Sequence, residues 1–438
     1  MRNATTETPG RQDARTIRVS GITLYSSFLI SHFSFLVPPS STRRTPSLDG
    51  VKIIYITTVD LSLRFLVLES MQHLKSMGAN VIGVSAPGPH LREVREAGIP
   101  VITTPMTRRI TPLHDLRSLL ALVKLLKRER PDIVHTHTPK GSLLGQLAAW
   151  MAGVPVRVST VHGLYFTRDT PPVRRFIYQA METATALFSQ RVFFINREDA
   201  HTARAFRISA PRKIRLLPGG LGIDLEQYDP AQLDRDELCR KRSQLGLADD
   251  ALVVGYVGRL VREKGLVELM EAFKQFAAIV PEARLLVVGP YDAEKPDSVT
   301  PEVANDYGIA DKTVFTGMRT DTVDLYGLID IFVLPSYREG MPRSVMEAQA
   351  MGLPVITTDA RGCHESILDG ETGLIVPTRD ARALAEALQK LAGDGELRRS
   401  MGEAGRKFAA RRYDQQSMFR VIGHEYSVLL RRHARKRR

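Results

Sequence analysis

The sequence predicts an α/β protein built from two doubly wound domains that face each other across a cleft. Its 438 residues are more than one hydrophobic core usually organises. Short apolar runs alternate with amphipathic segments in two successive series, which is typical of parallel sheets covered by helices. A segment at 218–225 with three glycines and a proline separates the two series and predicts a hinge.

The composition limits the class of protein further. Hydrophobic residues make up 43% of the chain and charged residues 25%, which excludes a mostly disordered, collagen-like or polytopic membrane protein. The two cysteines, Cys239 and Cys363, are too few for a disulfide framework or a cysteine-based zinc site. A reducing, cytosolic setting is therefore expected.

Residues 1–50 are expected to be a disordered N-terminal extension. Within them, the apolar stretch Ile22–Val37 has sixteen residues, four of them serine, whereas a membrane-spanning helix needs about 20 predominantly apolar residues. A peripheral membrane anchor and a cleaved signal peptide remain alternatives for this stretch.

The first series, residues 51–217, predicts one parallel sheet with helices on both faces. Gly78 and Gly98 end two of its helices and Pro131 follows a third, because both residue types stop a helical pattern. The predicted strands are Val51–Val59, Val81–Ala86, Val101–Thr104, Asp132–Thr138, Val156–Val161, Arg191–Asn196 and Lys213–Leu217. The predicted helices are Asp60–Met77, Leu91–Ala97, Leu113–Arg130, Gly141–Ala152, Val173–Phe188 and Arg197–Phe206.

The second series, residues 226–405, predicts another parallel sheet, followed by a C-terminal helix and a basic tail in residues 406–438. Its predicted strands are Ala251–Gly258, Arg284–Gly289, Thr313–Thr316, Ile331–Pro335, Pro354–Thr358 and Leu374–Pro377. Its predicted helices are Gly265–Val280, Asp321–Ile329, Ser344–Met351 and Ala381–Leu391. Ligands bind beyond the carboxyl ends of such strands, so a site is expected in the cleft.

The first candidate site follows the strand Ile331–Pro335. The turn Glu339–Pro342 joins this strand to a helix, whose first backbone amides point into the cleft and suit an anion such as phosphate. Glu347 lies about one turn into the helix and would repel phosphate, so it fits the hydroxyl groups of a ribose better. Taken alone, the two carboxylates are more typical of solvated helix ends.

The second candidate site follows the strand Ala251–Gly258. Arg259 and Lys264 lie at the carboxyl end of this strand, where a planar guanidinium and a compact ammonium together suit a diphosphate. Both candidate sites follow strands of one sheet, and this coincidence favours a binding site over ordinary surface charge.

Together, the motifs resemble those of the family 4 retaining glycosyltransferases of the GT-B fold, over residues 51–400. Each motif is short, and only their combination is specific. The motifs are Gly258-Arg259, Lys264-Gly265, Glu339-Gly340, Glu347-Ala348, Gly352-x-Pro354-Val355-Ile356, Gly362-x-x-Glu365 and residues 369–377. Residues 135–141 and 337–348 look like those of members that build lipid-linked or surface polysaccharides. The resemblance implies two Rossmann-like domains, with the last helix crossing back to the first.

The resemblance also implies a role for each site residue. Arg259 and Lys264 would hold the donor diphosphate, Glu347 the ribose and Glu339 the donor sugar. His162 matches the family's histidine near the anomeric centre, where a positioning role is preferred to that of a base. The other donor-binding residues would be Gly258, Gly317, Met318, Gly340, Met341, Pro342, Arg343, Ser344 and Val345, with Arg319 beside the base. The acceptor side would include Thr58, Arg64, His137 and Lys140.

The implied reaction is the retaining transfer of a hexose or N-acetylhexosamine from a nucleotide sugar, with UDP expected and guanosine left open. The acceptor would be a polyprenyl-diphosphate-linked sugar or a polysaccharide. Front-face attack needs no protein base, and no metal or other cofactor is expected beside the nucleotide sugar as co-substrate. The alternative is an isomerase of the same fold, resembling UDP-N-acetylglucosamine 2-epimerase.

Two groupings of metal-binding residue types argue little for a metal. Asp234 and Asp236 match an Asp-x-Asp pattern, but they lie in a polar helical stretch and are interpreted as surface charge. His135 and His137 alternate on a strand and so face the same side, but two ligands do not close a zinc site. Both histidines are interpreted as polar residues that face the cleft.

The net charge of +13 is unevenly distributed. Residues 51–217 carry +13 and residues 405–438 carry +9, whereas residues 218–404 carry −12. The basic regions predict contact with an anionic membrane surface, and so a cytoplasmic protein bound peripherally at the inner face. The helix Leu113–Arg130 is either core-facing or interfacial, and the tail Arg431–Arg438 adds a polybasic cluster. Nucleic acid is not an expected partner, because the chain has one tryptophan and an acidic second half.

Overall fold

The structure is a computed structural model that describes residues 47–167, 170–217, 219–293 and 295–437. The apolar stretch Ile22–Val37 and most of the expected extension 1–50 lie outside these residues, as does Pro218 in the expected hinge. The first described residues already belong to a folded domain, because Leu48 is fully buried in its core.

The first domain is a seven-stranded parallel sheet in the order β3-β2-β1-β4-β5-β6-β7. Its strands are β1 Lys52–Ile56, β2 Asn80–Ser85, β3 Val101–Thr103, β4 Ile133–His137, β5 Val156–Val161, β6 Arg191–Phe194 and β7 Ile214–Leu216. Its helices are α1 Asp60–Ser62, α2 Leu68–Ser76, α3 Leu91–Glu96, α4 Pro112–Glu129, α5 Pro139–Met151, α6 Pro172–Phe188 and α7 Arg197–Ala205. The strand order reverses between β1 and β4, so their carboxyl ends flank a crevice.

The second domain is a six-stranded parallel sheet in the order β10-β9-β8-β11-β12-β13. Its strands are β8 Val253–Val257, β9 Arg284–Val288, β10 Thr313–Gly317, β11 Ile331–Leu334, β12 Val355–Thr358 and β13 Gly373–Val376. The helices are α8 Arg235–Gln244, α9 Leu266–Ala277, α10 Val303–Asp306, α11 Thr322–Gly327, α12 Arg343–Ala350, α13 Ala381–Gly393, α14 Gly395–Arg412 and α15 Gln415–Arg437. Here the order reverses between β8 and β11, which makes a second crevice.

The predicted fold class is confirmed, because both sheets are parallel and carry the strand order of Rossmann-like domains. Each predicted strand and helix has a counterpart that differs by a few residues at its ends. The helix expected at Asp60–Met77 is interrupted, since a π-helical turn at Leu63–Val67 joins α1 to α2. The expected domain limits, 51–217 and 226–405, stay predictions.

The core explains why the strand sequences are continuously apolar. Ile53 and Tyr55 of β1 pack into a cluster with α2 and α15, whereas Ile54 and Ile56 pack into another with α4 and α5. Successive side chains of a strand point to opposite faces, and helices cover both faces of this sheet. No described helix is long and apolar enough to cross a membrane.

The C-terminal helix α15 returns to the first domain, as expected. The hydroxyl of Tyr426 lies 3.0 Å from that of Tyr55 in the first core. The carboxylate of Glu425 accepts hydrogen bonds from Arg191 at 2.7 Å and Arg215 at 2.6 Å. These ion pairs fix α15 against the edge of the first sheet.

The glycine-rich segment after β7 runs alongside the start of α15. The amide of Ile223 donates to the carbonyl of Tyr413 at 2.8 Å, and that of Gln415 donates to the carbonyl of Ile223 at 3.1 Å. A Cβ at Gly222 would lie 2.6 Å from the Cα of Gln415. Only glycine therefore lets the two connections between the domains lie side by side.

Candidate active site

The cationic residues of the second domain lie at its crevice, beyond the ends of β8 and β11. Arg259 follows β8, and Lys264 closes a single 3-10 turn before α9. Gly265 has a φ of +72°, and a Cβ there would lie 2.0 Å from the carbonyl oxygen of Pro335. The end of the Lys264 turn therefore lies against the chain that leaves β11, and only glycine fits at this close approach.

Lys264 and Glu339 form an ion pair across this crevice. The ammonium of Lys264 contacts Oε1 of Glu339, which also accepts a hydrogen bond from the hydroxyl of Ser336 at 2.8 Å. Their side chains are 17% and 12% exposed, so solvent screens the pair only in part. The residue predicted to hold the donor diphosphate, Lys264, and the residue predicted to contact the donor sugar, Glu339, are therefore in direct contact.

Arg259 is held more loosely than Lys264. Its guanidinium lies 3.6 Å from Glu263 and 3.5 Å from Asp292, and 32% of the side chain is exposed. The hydroxyl of Tyr256 donates to the backbone carbonyl of Arg259 at 2.8 Å, which fixes the main chain. The backbone is thus anchored while the cation retains room to turn towards an anionic ligand.

Glu347 lies in α12 with 7% of its surface exposed. One carboxylate oxygen accepts from Nε of Arg343 at 2.9 Å, and the other accepts from the hydroxyl of Tyr326 at 2.8 Å. Burial and the adjacent carboxylate raise the pKa of Tyr326 well above its ordinary value, so this hydroxyl remains a donor. The two donors fix the orientation of the carboxylate at the cleft.

The other donor-side positions follow from the start of α12. Pro342 precedes the helix, and Ser344 and Val345 occupy its first turn, where backbone amides lack intrahelical acceptors. Met341 is 9% exposed and packs into the second core rather than the cleft. Arg343 reaches out of the domain and donates to Glu69 of α2 at 2.8 Å.

The turn at Gly340 touches the first domain directly. A Cβ at Gly340 would lie 2.1 Å from the carbonyl oxygen of His162, and the carbonyl of Gly340 accepts from Asn196 at 2.8 Å. Glu365 accepts from the backbone amides of Arg197 and Glu198 at the start of α7, at 3.0 and 2.8 Å. The domains therefore meet at the predicted site, with His162 beside Gly340.

Three imidazoles lie behind this contact. Nδ1 of His137 lies 2.9 Å from Nε2 of His162. Burial lowers the pKa of His162 to about 4 and that of His137 well below its ordinary value. The interpretation of His135 as cleft-facing is wrong, because it is fully buried and bonds to Tyr426 at 2.6 Å. The helix α15, whose position no local pattern reveals, covers that face of the sheet.

The remaining acceptor-side predictions are distributed over three places. Thr58 lies in the first crevice, where its hydroxyl is 2.7 Å from that of Thr138 and accepts from the amide of Gly141 at 3.0 Å. Arg64 donates to Glu93 of α3 at 2.8 Å. Lys140 is 7% exposed and forms an ion pair with Asp115. Their contacts with an acceptor stay predictions.

A cavity of about 240 Å³ lies where the two domains face each other. The second domain supplies most of the lining, part of it from residues that the sequence assigned to the donor, and the first domain adds Leu61 and Phe65. The lining from the second domain includes Gly258, Arg259, Met318 and Arg319, next to Gly317 at the end of β10.

Sequence reasoning missed Leu61, Phe65, Asn196 and Tyr326. Leu61 and Phe65 lie on the interrupted first helix, whose π turn changes which side chains face the cleft. Asn196 donates a hydrogen bond to Gly340, 144 positions away along the chain, and Tyr326 donates one to Glu347, 21 positions away. No local spacing carries a signal for such contacts.

The residue types that suggested a metal have structural roles instead. Asp234 precedes α8, and its side chain accepts from the amides of Asp236 and Glu237, as an N-cap residue does. Among the described residues, no group of three or more histidine, cysteine, aspartate or glutamate side chains could hold a metal ion. Metal independence of the reaction stays a prediction.

Comparison with known proteins places this arrangement in a family. Residues 239–408 match the model of the glycosyl transferases group 1, and residues 66–220 match that of the glycosyl transferase 4-like domain. A capsular polysaccharide biosynthesis glycosyltransferase of Staphylococcus aureus, CapM, is 31% identical over 87% of this chain and 98% of its own length. The chain belongs to the family 4 glycosyltransferases.

Two further similarities bear on this glycosyltransferase. An Escherichia coli enzyme named UDP-Gal:alpha-D-GlcNAc-diphosphoundecaprenol alpha-1,3-galactosyltransferase is 32% identical over 67% of this chain and 74% of its own length. The crystal structure of Anabaena HepE in complex with UDP and glucose superposes with a TM-score of 0.73. That structure is 19% identical and covers 86% of this chain and all of its own, so it supports the GT-B fold alone.

Proposed function

We propose that this glycosyltransferase transfers a hexose or N-acetylhexosamine from a UDP-sugar to a polyprenyl-diphosphate-linked sugar, with retention of anomeric configuration. The observation that carries the proposal is the ion pair of Lys264 with Glu339 beside the contact of Gly340 with His162, where the two domains meet. The helix α12, which follows this turn, carries Glu347. The names of the Staphylococcus and E. coli relatives support an acceptor of this class.

The donor diphosphate would lie over Arg259 and Lys264. Breaking the bond between sugar and phosphate leaves negative charge on the departing diphosphate, and fixed cations stabilise that charge most when little water intervenes. The unused amides of Ser344 and Val345 at the start of α12 add partial positive charge. Donor binding would draw Lys264 from Glu339, which then meets hydroxyl groups of the donor sugar.

The nucleoside would occupy the cavity beside Met318 and Arg319. Glu347 accepts hydrogen bonds from ribose hydroxyls in this arrangement, because Arg343 and Tyr326 already hold its carboxylate in one orientation. Retention would follow from front-face attack, with the leaving phosphate taking the proton of the acceptor. His162 is neutral at pH 7 and is assigned to positioning.

The acceptor would approach from the first domain, with its lipid in an anionic membrane. Three exposed leucines of α4 and two exposed apolar residues of α6 form what we term the apolar-basic surface, together with neighbouring arginines. Its members are Leu113, Leu116, Leu120, Val173, Phe176, Arg117 and Arg174. Such a surface fits peripheral association with the cytoplasmic face of a membrane, to which the basic tail would add.

The deciding experiment is a donor screen with a polyprenyl-diphosphate-linked sugar as acceptor, in which product and anomeric configuration are both determined. We expect one UDP-sugar to be used, an α-linked donor to give an α-linked product, and activity to persist in EDTA. Lys264→Ala and Glu347→Ala should each lower kcat/KM at least about 100-fold. Lys274→Ala, on an exposed position of α9, is the matched control.

Three results would contradict the proposal. Inversion of configuration would exclude front-face attack, and unchanged activity of Lys264→Ala would exclude the assigned site. Formation of an epimer from the donor alone would support the isomerase alternative, which no feature of the site favours. Loss of activity in EDTA that Mg²⁺ restores would refute metal independence.

A further inference from the structure

The three histidines behind the site form a continuous row. The ring centroids of His135 and His137 are 4.2 Å apart, and those of His137 and His162 are 5.2 Å apart. His135 and His137 are at most 1% exposed, whereas His162 is half-buried at the contact with Gly340. The row therefore runs from the interior of the first domain to the proposed position of the donor sugar.

All three imidazoles are neutral at neutral pH. Burial lowers the pKa of His135 to about 3 and that of His162 to about 4, and it acts with the neighbouring imidazoles to lower the pKa of His137. A neutral imidazole has one N–H donor and one acceptor nitrogen. The 2.9 Å contact between His137 Nδ1 and His162 Nε2 thus holds a single proton, supplied by one of the two rings.

The other nitrogen of His137 decides which ring supplies it. Nε2 of His137 is buried and has no hydrogen-bond partner among the described residues. If His162 were the donor, the proton of His137 would lie on Nε2 as a buried N–H without an acceptor. Buried N–H groups without acceptors are rarer in proteins than acceptors without donors. The proton of His137 therefore belongs on Nδ1.

We propose that His137 is a positioning residue that donates a hydrogen bond to Nε2 of His162 and so holds His162 in its Nδ1–H tautomer. In this tautomer, the Nε2 lone pair accepts from His137 and Nδ1 carries the proton. His162 then has no lone pair with which to remove a proton from an acceptor hydroxyl, and it acts as an N–H donor. The tautomer follows from the contact between His137 and His162 and from the buried Nε2 of His137. Its use in catalysis rests on the proposed function.

The surroundings of His137 keep its ring in place. Its ring stacks on Tyr55 with centroids 5.2 Å apart and an interplanar angle of 18°. His135 contacts both of these rings, with centroids 4.2 Å from His137 and 5.0 Å from Tyr55. It bonds through Nδ1 to Tyr426 at 2.6 Å and through Nε2 to Thr160 at 2.7 Å. Tyr426 belongs to α15, so the C-terminal helix contributes to the support of the site.

The test is nitrogen NMR on full-length protein labelled at the histidine ring nitrogens, with two-bond proton–nitrogen correlation to identify each tautomer. His162→Gln assigns the resonances of His162. We expect Nδ1–H for His162 in the unsubstituted protein and a mixture of tautomers in His137→Leu, which removes the donor at similar volume. His137→Asn keeps an N–H donor near the Nδ1 position and should restore the Nδ1–H form of His162.

Activity provides a second readout. His137→Leu should lower kcat about threefold to tenfold, the effect of one ordinary hydrogen bond, with a smaller change in the KM of the donor. His73→Leu is the matched control, because it removes a half-buried imidazole outside the row, which stacks on Phe419 of α15. It should leave both the tautomer of His162 and kcat unchanged.

The outcomes separate this proposal from the proposed function. An Nε2–H tautomer of His162 in the unsubstituted protein would overturn the proposal, whatever the activity. An unchanged His162 signature in His137→Leu would overturn it as well. The expected tautomer in a protein that transfers no sugar would leave the proposal standing and refute the proposed function instead.

Discussion

The carboxylate of Glu347 illustrates how single residues are prepared before a ligand arrives. Arg343 and Tyr326 donate to its two oxygens from different directions, and 7% of the residue is exposed. A carboxylate held in this way loses little rotational freedom when it binds a ligand. The site therefore depends on the orienting donors as well as on the residue that touches the donor.

Tyr326→Phe tests this dependence, because it removes one hydroxyl and leaves the ring in the core. The KM of the nucleotide sugar should rise about threefold to tenfold while kcat changes less, since one hydrogen bond of ordinary strength is lost. Initial rates over a range of donor concentrations measure the effect. Tyr307→Phe, in the same domain, is the control, and an unchanged KM in Tyr326→Phe would contradict the orienting role.

The same residues explain what the sequence could predict of the site. Arg259, Lys264, Glu339 and Glu347 were found because each follows a strand end or opens a helix within one short motif. Tyr326 was missed because its hydroxyl meets Glu347 only after two helices pack together. Local spacing predicts which side chains leave a strand end, but the partners of those side chains depend on tertiary packing.

At the scale of elements, the strands and helices were predictable, because along most of the chain each run of periodic apolar residues ends at a glycine or a proline. The π turn at Leu63–Val67 and the burial of His135 under α15 were not, since both depend on contacts distant in sequence. Such distant contacts also stabilise the fold: α15 is attached to the first domain by the ion pairs of Glu425 with Arg191 and Arg215.

Glu425 makes the attachment of α15 sensitive to acid. Burial alone would raise the pKa of Glu425, but hydrogen bonds from Arg215 and Arg191 outweigh it and hold the pKa below its ordinary value. A lowered pKa in the folded state adds stability above the unfolded value of about 4.5, and this stability disappears as the pH falls through the folded value. The contribution is therefore complete at pH 7.

Glu425→Gln should lower the free energy of unfolding at pH 7 by about 1.5–3 kcal/mol, as expected for hydrogen bonds to charged groups. The difference from the unsubstituted protein should shrink as the pH is lowered towards about 3. Denaturant unfolding at several pH values measures both effects. Glu386→Gln, in an exposed pair with Arg382, should change stability by less than about 0.5 kcal/mol. If Glu425→Gln and Glu386→Gln changed the stability equally, the ion pairs of Glu425 would not be what attaches α15 to the first domain.

At the scale of the whole molecule, charge and apolar exposure separate by domain. The first domain and the C-terminal segment carry the positive charge, and the residues between them carry −12 over 218–404. The helices α4 and α6 both begin at the carboxyl edge of the first sheet, and α5 packs between them. The exposed apolar residues at their first turns therefore lie on the same edge as the cleft, where a lipid-linked acceptor would enter.

The burial of α4 changes along its length, which bears on whether the helix is core-facing or interfacial. Leu126 is buried in the core and Leu119 and Val123 are half-buried, whereas Leu116 and Leu120 are 54% and 57% exposed. The first turn adds Leu113, which is 88% exposed. The helix thus packs on the sheet through its second half and presents apolar side chains to solvent through its first, a division that the apolar period alone does not reveal.

This division predicts how the protein binds to vesicles that contain anionic lipid. Leu113→Asp and Phe176→Asp should each weaken binding about tenfold or more in a sedimentation assay, because each removes an apolar side chain from the apolar-basic surface and adds charge that anionic lipid repels. Raising the salt concentration to about 1 M should weaken binding of the unsubstituted protein, since the screening length falls to about 3 Å. Ile279→Asp, which changes a 62% exposed apolar residue of the second domain, is the control. If all three variants bind as the unsubstituted protein does, the apolar-basic surface is not the membrane contact, and if Ile279→Asp alone loses binding, the second domain faces the lipid.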